Sequence, residues 1–348
     1  MPRDLAAFQD IGQREILPSK TAPDRFPFPI PNGWFPIARS AEVEAGQVKP
    51  VTAVGKELVV FRAANGEARV TGAYCAHLGA HLAVGGRVEG DCIRCPFHGW
   101  LYDGKSGNCV EIPAEKYVPK RAAIESLETV ERNGLIFIWH HAEGKPPWYE
   151  IPVAPETSDP DWLPLLWWET DMVSACEELV SNGMDYGHLK IVHGLPDEFV
   201  GDGSDNFMEL DGPNLRVHHA MDVAHVTGLG FSCIRPKEGV SPLVFIITQT
   251  PIDRNHVRFR LGATCPVTYG EEMLRTVTET TVGTIAQDVA IWENKVYHSR
   301  PVFTQSDKDI IAFRKWCYQF YTGYPASSSN GTKASVDDGV VVGVPVAD

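Results

Sequence analysis

From residue 34 to about 142 the apolar positions come in short runs broken by Gly, Asn and Asp. Residues 57–61 (ELVVF), 68–71 (ARVT) and 134–139 (GLIFIW) are rich in β-branched and aromatic side chains, which predicts strands. The Ala64-Asn65-Gly66 step between the first two predicts a hairpin. Residues 34–142 therefore read as a small antiparallel β module. Before it, residues 1–33 become Pro-rich (TAPDRFPFPIPNG), which predicts an extended lead-in. After it, residues 140–147 (HHAEGKPP) read as a linker. Adjacent His on a strand point to opposite faces, so His140 and His141 are expected at a solvated strand end.

The pattern changes beyond residue 143. Strand-like runs at 215–220, 243–248 and 256–260 alternate with helical periodicity at about 174–192, 281–298 and 307–321. That mixture predicts an α+β domain over 143–325, an antiparallel sheet with helices on it. Residues 326–348 are small and polar, then apolar without period, and predict a poorly ordered tail. No internal repeat is present.

A chain of 348 residues holds two domains and a large core. A formal charge of −14 and a pI near 5.3 argue against nucleic acid or an anionic membrane as partner and suit docking of a basic redox protein. Eight Cys in 348 residues are not a disulfide scaffold, and the six other than Cys75 and Cys95 show no paired spacing, which fits a reducing cytoplasm. The first fifteen residues hold no signal-type apolar core. The apolar stretch 162–168 is too short to span a bilayer, so no transmembrane segment is expected.

The chemistry concentrates in residues 75–100, where Cys75-Ala-His77 is followed after seventeen residues by Cys95-Pro-Phe-His98. Each short loop carries one Cys and one His, so the two loops together can offer two thiolates to one iron and two imidazoles to another. That is the Rieske [2Fe–2S] pattern. Gly79, Gly85, Gly86 and Gly99 supply backbone freedom, and Pro96 stiffens the second loop. A Cys2His2 zinc site is the alternative, but zinc motifs group Cys with Cys and His with His. His81, Cys92 and Cys109 lie nearby and are read as loop-surface and core residues.

A second constellation sits at 181–194 (SNGMDYGHLKIVHG). His188 and His193 are five apart, about 140° around a regular helix, so a shared role needs a π-bulge or a break. Two His near a break can supply two arms of a 2-His-1-carboxylate Fe(II) site. Asp288 is the candidate third arm, because it shares a helix face with Ile285, Val289, Trp292 and Val296, and a carboxylate aimed at a core needs a partner. Glu293 falls on the polar side and is expected to be solvated. Asp185, one turn before His188, is expected to accept an N–H from that imidazole and set its tautomer.

C-x-H-x17-C-x2-H followed by N-x2-D-x2-H-x4-H resembles the catalytic α subunits of the Rieske non-haem iron oxygenases, over residues 30–322. The resemblance implies a [2Fe–2S] cluster on Cys75, His77, Cys95 and His98, and Fe(II) on His188, His193 and Asp288. It implies an N-terminal Rieske domain and a helix-grip-like catalytic domain. It also implies a homotrimer in which His98 passes an electron through Asp185 to the iron of the neighbouring subunit. Asn182 matches a residue near the iron in relatives. Ser181 stands where they often carry Glu. The stretches 287–295 (QDVAIWENK), Arg300-Pro301 and 314–321 (RKWCYQFY) are similar to the oxygenase component of 3-ketosteroid 9α-hydroxylase and to cholesterol 7-desaturases.

The expected activity is hydroxylation of an apolar polycyclic, steroid-like substrate by O2. Electrons come from a separate NAD(P)H ferredoxin-type reductase, since no flavin or nicotinamide fingerprint is present and the Gly85-Gly86 turn is not one. Desaturation of a sterol or oxidation of an aromatic compound are the alternatives within the family. Phe245, Ile247 and Phe259 are candidate pocket residues. A Rieske electron carrier and a zinc-binding interaction module are the readings from other classes. A pure carrier has no use for His188, His193 and Asp288, and a zinc module would be colourless where a cluster protein is red-brown.

Overall fold

The computed structural model describes residues 25–113, 115–196, 200 and 206–323. The predicted tail 326–348 and most of the lead-in lie outside them.

The described residues of the first module form ten strands. β2 (Val48–Ala53), β3 (Lys56–Arg62) and β4 (Ala68–Gly72) form one antiparallel sheet. β5 (Arg87–Glu89), β6 (Cys92–Arg94), β7 (Leu101–Asp103) and β8 (Cys109–Glu111) form a second. A third joins β1 (Gly33–Arg39), β10 (Leu135–His140) and β9 (Thr129–Arg132), in that spatial order. The predicted hairpin joins β3 and β4, with the Gly66 N–H donated to the Ala63 carbonyl at 3.0 Å. This module packs its own small core around Phe61, Leu82, Ile93 and Tyr102 beneath the Cys loops.

The second module is a seven-stranded antiparallel sheet. Its strands are β11 (Leu166–Val173), β12 (Phe207–Asp211), β13 (Asn214–His218), β14 (Asp222–Thr227), β15 (Phe231–Pro236), β16 (Val244–Pro251) and β17 (His256–Thr264). They lie in the order β11-β17-β16-β15-β14-β13-β12. All three sequence-predicted strands of this domain are among them. Against the sheet pack α1 (Cys176–Ser181), α3 (Gly270–Trp292) and α4 (Lys308–Cys317), and α2 (Tyr186–Ile191) follows α1.

Three helix predictions need correction. The expected helix 174–192 is two short helices separated by a 3-10 turn, Asn182–Met184. Asp185, with ψ of 84°, breaks the helix there. α3 begins eleven residues before the predicted 281 and ends at Trp292. Its first half is rich in Thr and Val, weak helix formers that hide the periodicity. The Thr hydroxyls bond back one turn, for example Thr278 to the Leu274 carbonyl at 2.6 Å and Thr281 to Val277 at 2.9 Å. α4 covers only the middle of the predicted 307–321, with single 3-10 turns at either end.

Because α3 stops at Trp292, Glu293 leaves the helix face. It is 1% exposed rather than solvated, and its carboxylate accepts the Val173 N–H at 3.3 Å. Arg25 closes over this region, donating to the backbone carbonyls of Trp292 and Lys295. Phe28 stacks on Tyr321. The described end of the lead-in is therefore extended, as expected, but buried against the second domain. His140 is half-buried, and burial pushes its pKa down to about 4, so the expected solvated strand end is also corrected.

Candidate functional site

Two loops of the first module are built alike. In each, the Cys carbonyl accepts the N–H of a Gly four residues on: Gly79 to Cys75 at 3.0 Å and Gly99 to Cys95 at 3.2 Å. Both Gly have positive φ, 73° and 72°, where a Cβ is strained. The turn buries the thiols and leaves the imidazoles outside. Cys75 and Cys95 are 4% and 2% exposed, while His77 and His98 are exposed. The two imidazole centroids are 4.7 Å apart, and Trp100 stacks flat on His77 at 4.7 Å.

Tyr102 is a residue the sequence reading missed. Its hydroxyl accepts the Ala76 N–H at 3.2 Å and lies 3.0 Å from Cys75 Sγ; a thiolate, the form that ligates a metal, has no proton, so toward it the Tyr102 hydroxyl is the donor. Only the β7 register brings this Tyr under Cys75, and no local sequence signal marks it as a donor. Burial pushes the Cys75 thiol up. His81 faces away, accepting the Ala83 N–H at 3.1 Å. Cys109 is buried and donates to the Glu111 carbonyl, and Cys92 is half-buried on β6. All eight Cys are free thiols. Two buried thiols with a hydrogen-bond donor on one sulfur, beside two surface imidazoles, are a donor set that fits a Rieske cluster.

The second site lies between the α1–α2 break and α3. Donor atoms of His188, His193 and Asp288 all lie within 4.8 Å of one another. The break makes this possible: α2 carries His188, then ends at Ile191 and lets His193 swing round. Each imidazole is braced through Nδ1. His188 Nδ1 meets the Asp185 backbone carbonyl, and His193 Nδ1 meets Gln287 Oε1 at 3.0 Å. Both braces accept an N–H, which leaves each Nε2 as a lone pair facing the centre. His193 Nε2 is 3.3 Å from Asp288 Oδ2, and the two side chains are 4% and 6% exposed. Burial pushes the Asp288 carboxyl above its ordinary range, with His193 and His188 opposing. Two imidazoles and a desolvated carboxyl group fit a hard divalent cation such as Fe(II).

Asp185 differs from expectation. Its backbone carbonyl, not its carboxylate, braces His188. The carboxylate caps α2, accepting the His188 backbone N–H at 3.3 Å. The Asp185 side chain stays 47% exposed. Asn182 sits beside the centre, where the resemblance implied a residue near the iron. Its Nδ2 lies 3.1 Å from His188 Nε2 and 3.2 Å from Asp288 Oδ2, so it competes with a metal for the same two lone pairs. Ser181 turns away, donating to the Glu178 carbonyl at 2.8 Å. Gln287 and His219 were missed. His219 gives Nδ1 to Asp222 at 2.7 Å and Nε2 to the Gly183 carbonyl at 2.8 Å, which ties the 3-10 turn to the sheet. Burial disfavours its charged form, yet the two acceptors outweigh that and its pKa is raised.

A cavity of about 380 Å³ opens directly onto the three donors. Its apolar wall includes Leu179, Val180, Ile247, Phe259, Ile285 and Trp292. Of the three predicted pocket residues, Ile247 and Phe259 line it. Phe245 does not, and packs against the core near the start of β16.

Comparison with known proteins matches a Rieske [2Fe-2S] domain to residues 33–122 and a 3-ketosteroid 9α-hydroxylase C-terminal domain to residues 138–321. A cholesterol 7-desaturase of Ciona intestinalis is 33% identical over 336 residues, covering 86% of this chain and 70% of the relative. A 3-ketosteroid-9-alpha-monooxygenase oxygenase component of Rhodococcus rhodochrous is 29% identical, covering 88% and 83%. Among solved structures, Pseudomonas putida CBB5 NdmA QL mutant with caffeine aligns with a TM-score of 0.70 at 22% identity, covering 82% and 89%. Apo dicamba monooxygenase aligns at 0.65 and 16%, covering 84% and 97%. At these identities the solved structures speak for the fold alone. The carrier and zinc-module readings fall, since the C-terminal match is to an oxygenase domain.

Proposed function

We propose, for a chain that belongs to the Rieske oxygenases with a 3-ketosteroid 9α-hydroxylase C-terminal domain, that its substrate is an apolar polycycle of steroid type and that the reaction is hydroxylation. The chain is the terminal oxygenase of such a system, and its cofactors are a Rieske [2Fe–2S] cluster and a mononuclear non-haem iron. When bound, these groups supply single electrons and the activation of O2. Cys75, Cys95, His77 and His98 would hold the cluster, and His188, His193 and Asp288 the iron. Gln287 and the Asp185 carbonyl keep the imidazoles in the tautomer that ligation needs. The cavity excludes water and fixes which C–H bond faces the donors.

The observation that carries the substrate class is the cavity itself: about 380 Å³, walled mostly by aliphatic and aromatic side chains, with the three donors in its wall. Both named relatives have names that refer to steroids or sterols. The greater identity to a desaturase favours a second reading, removal of two hydrogens from the same substrate class.

Electron delivery follows from exposure. His77 and His98 stand at the surface, and Asp185 is half-exposed on the other domain. Two surface-exposed ends support transfer between subunits, His98 of one to Asp185 of the next, in a homotrimer. A separate NAD(P)H reductase supplies the cluster, and the net charge of −14 suits a basic docking face on it. Among the described residues no helix is long and apolar enough to cross a membrane.

The test is turnover with a surrogate reductase, NADH and O2 on 3-ketosteroids, sterols and aromatic acids, read by mass. Gain of one oxygen on a steroid is the expected result. Loss of two hydrogens moves the assignment to desaturation. Activity confined to aromatic acids refutes the substrate class.

A further inference from the structure

His219 closes the turn between β13 and β14. Its backbone N–H is donated to the Asp222 carbonyl at 2.9 Å, and its Nδ1 meets Asp222 Oδ1 at 2.7 Å. The other ring nitrogen, Nε2, donates to the Gly183 carbonyl at 2.8 Å. That carbonyl lies in the middle of the 3-10 turn Asn182–Met184, between the two residues that touch the iron donors. Asn182 Nδ2 is 3.1 Å from His188 Nε2 and 3.2 Å from Asp288 Oδ2, and the Asp185 carbonyl meets His188 Nδ1. Met184 is buried in the core, but a Cβ on Gly183 would meet nothing within 4 Å. At Gly183 the turn is therefore placed by the bond from His219 and not by packing. His219, Asp222, Gly183 and Asn182 all line the cavity.

The contact with Asp222 requires a proton. A carbonyl only accepts, so Nε2 carries its hydrogen. In a neutral ring Nδ1 is then a lone pair, and a lone pair 2.7 Å from a carboxylate oxygen is repulsive. The pair closes only when one more proton sits between Nδ1 and Oδ1. We propose that His219 is a positioning residue of the iron site: with that proton held, it fastens the Asn182–Met184 turn to the β13–β14 hairpin, and the fastening loosens as pH rises. The inference rests on the assignment of the iron to His188, His193 and Asp288 and adds a control to it. The titratable groups around the ring are Asp222 at the head of β14, Lys237 just beyond β15, and Tyr186 on α2, whose hydroxyl is bonded to Asp309 on α4. Burial and Lys237 disfavour the charged ring, whereas Asp222 and the Gly183 carbonyl favour it and raise its pKa above the ordinary 6.5. A group whose folded pKa is raised contributes fully below its ordinary value, and the contribution is lost as pH rises through the raised one. The fastening is therefore complete in mildly acidic solution and weakens on the alkaline side.

The experiment is iron retention by the purified full-length oxygenase against a graded chelator, without O2, at about pH 6 and about pH 9. The wild type is compared with Asp222→Asn, His219→Gln and His219→Leu. The amide of Asp222→Asn offers Nδ1 either its oxygen or its NH2, so the contact survives with or without the extra proton. His219→Gln keeps an N–H for the Gly183 carbonyl and does not titrate. Retention is read relative to Asp222→Asn at each pH, which cancels the pH dependence of the chelator and of the iron donors. The wild type should match Asp222→Asn at about pH 6 and fall about fivefold below it at about pH 9, the difference between a charge-assisted and an ordinary hydrogen bond. His219→Gln should show no such fall, and His219→Leu should hold iron weakly at both. A merely structural His219 predicts the same wild-type ratio at both pH values. That flat ratio, a fall that persists in His219→Gln, or wild-type retention in His219→Leu overturns the assignment. The visible spectrum of the cluster reports folding, and if His219→Leu loses it the other proteins carry the test. Iron held equally by His188→Ala and the wild type removes the iron assignment instead, and this inference with it.

Discussion

Gln287 should control how tightly the mononuclear site holds its metal. The residue is adjacent to Asp288 on α3, so one helix end delivers both the carboxylate and the brace for His193. Gln287 Oε1 accepts from His193 Nδ1 at 3.0 Å, which fixes the ring and leaves Nε2 toward Asp288. Gln287→Leu keeps the volume and removes the acceptor. Loss of such a brace lowers metal affinity by roughly 10–100-fold, or about 1.4–2.8 kcal/mol. Gln287 itself is exposed although the His193 side chain is not, so water can take the place of the lost acceptor, which places the effect near the lower end, about tenfold. The brace on His188 is a backbone carbonyl that no side-chain replacement removes, so Asp185→Asn should leave iron affinity almost unchanged. The assay is iron retention against a graded chelator, with cluster absorbance as the internal control. Gln287→Glu should hold iron at least as tightly as the wild type, because it keeps the acceptor. Wild-type retention in Gln287→Leu would refute the tautomer argument, and loss far beyond roughly 100-fold would make Gln287 a ligand rather than a brace.

Two further outcomes follow from the hydrogen-bond map. Tyr102→Phe removes the donor to Cys75 Sγ and should lower the cluster potential, because a donor to sulfur favours the reduced form. One net hydrogen bond corresponds to roughly 20–65 mV for a one-electron couple, measurable by a spectroscopic redox titration, and an unchanged or raised potential would contradict the assignment. Glu177 is buried, and its burial beside Glu178 pushes its pKa up to about 8. Only one of its oxygens is bonded, to the Tyr321 hydroxyl at 2.9 Å. An acid whose folded pKa lies above its unfolded value binds more protons when folded, so stability falls as pH rises from about 4.5 to about 8. Glu177→Gln should therefore raise the melting temperature at about pH 8 more than at about pH 5, and an equal shift at both would count against the buried charge.

The ligand residues were legible because each group is compact in sequence. Cys75, His77, Cys95 and His98 occupy two turns, and a turn of four residues dictates where its side chains go. His188 and His193 were legible for a different reason: their spacing contradicts a regular helix, so the sequence itself demanded a break. Where that break falls was not visible, because it depends on Asp185 leaving helical backbone while its carboxylate caps the next helix. Asp288 could be picked out by the helix face it shares with Val289 and Trp292. Glu293, the next polar residue, was misjudged because that face ends one residue earlier, at the helix terminus. The periodicity argument holds only as far as the helix does.

The groups that tune the two centres were not legible, and the reason is distance along the chain. Gln287 reaches His193 across 94 residues, and Tyr102 reaches Cys75 across 27. Neither stands out as a residue type at its own position. The cavity poses the same problem more sharply. Its wall is drawn from α1, α3 and strands β13 to β17, and each wall residue alone is indistinguishable from core. Ile247 and Phe259 line the cavity while Phe245, on the same strand face as Ile247, packs away from it. Alternation identifies a face, but only the assembled sheet and helix decide which part of that face is left uncovered. Reaction type is therefore written in short motifs, whereas substrate choice is written in contacts between distant strands.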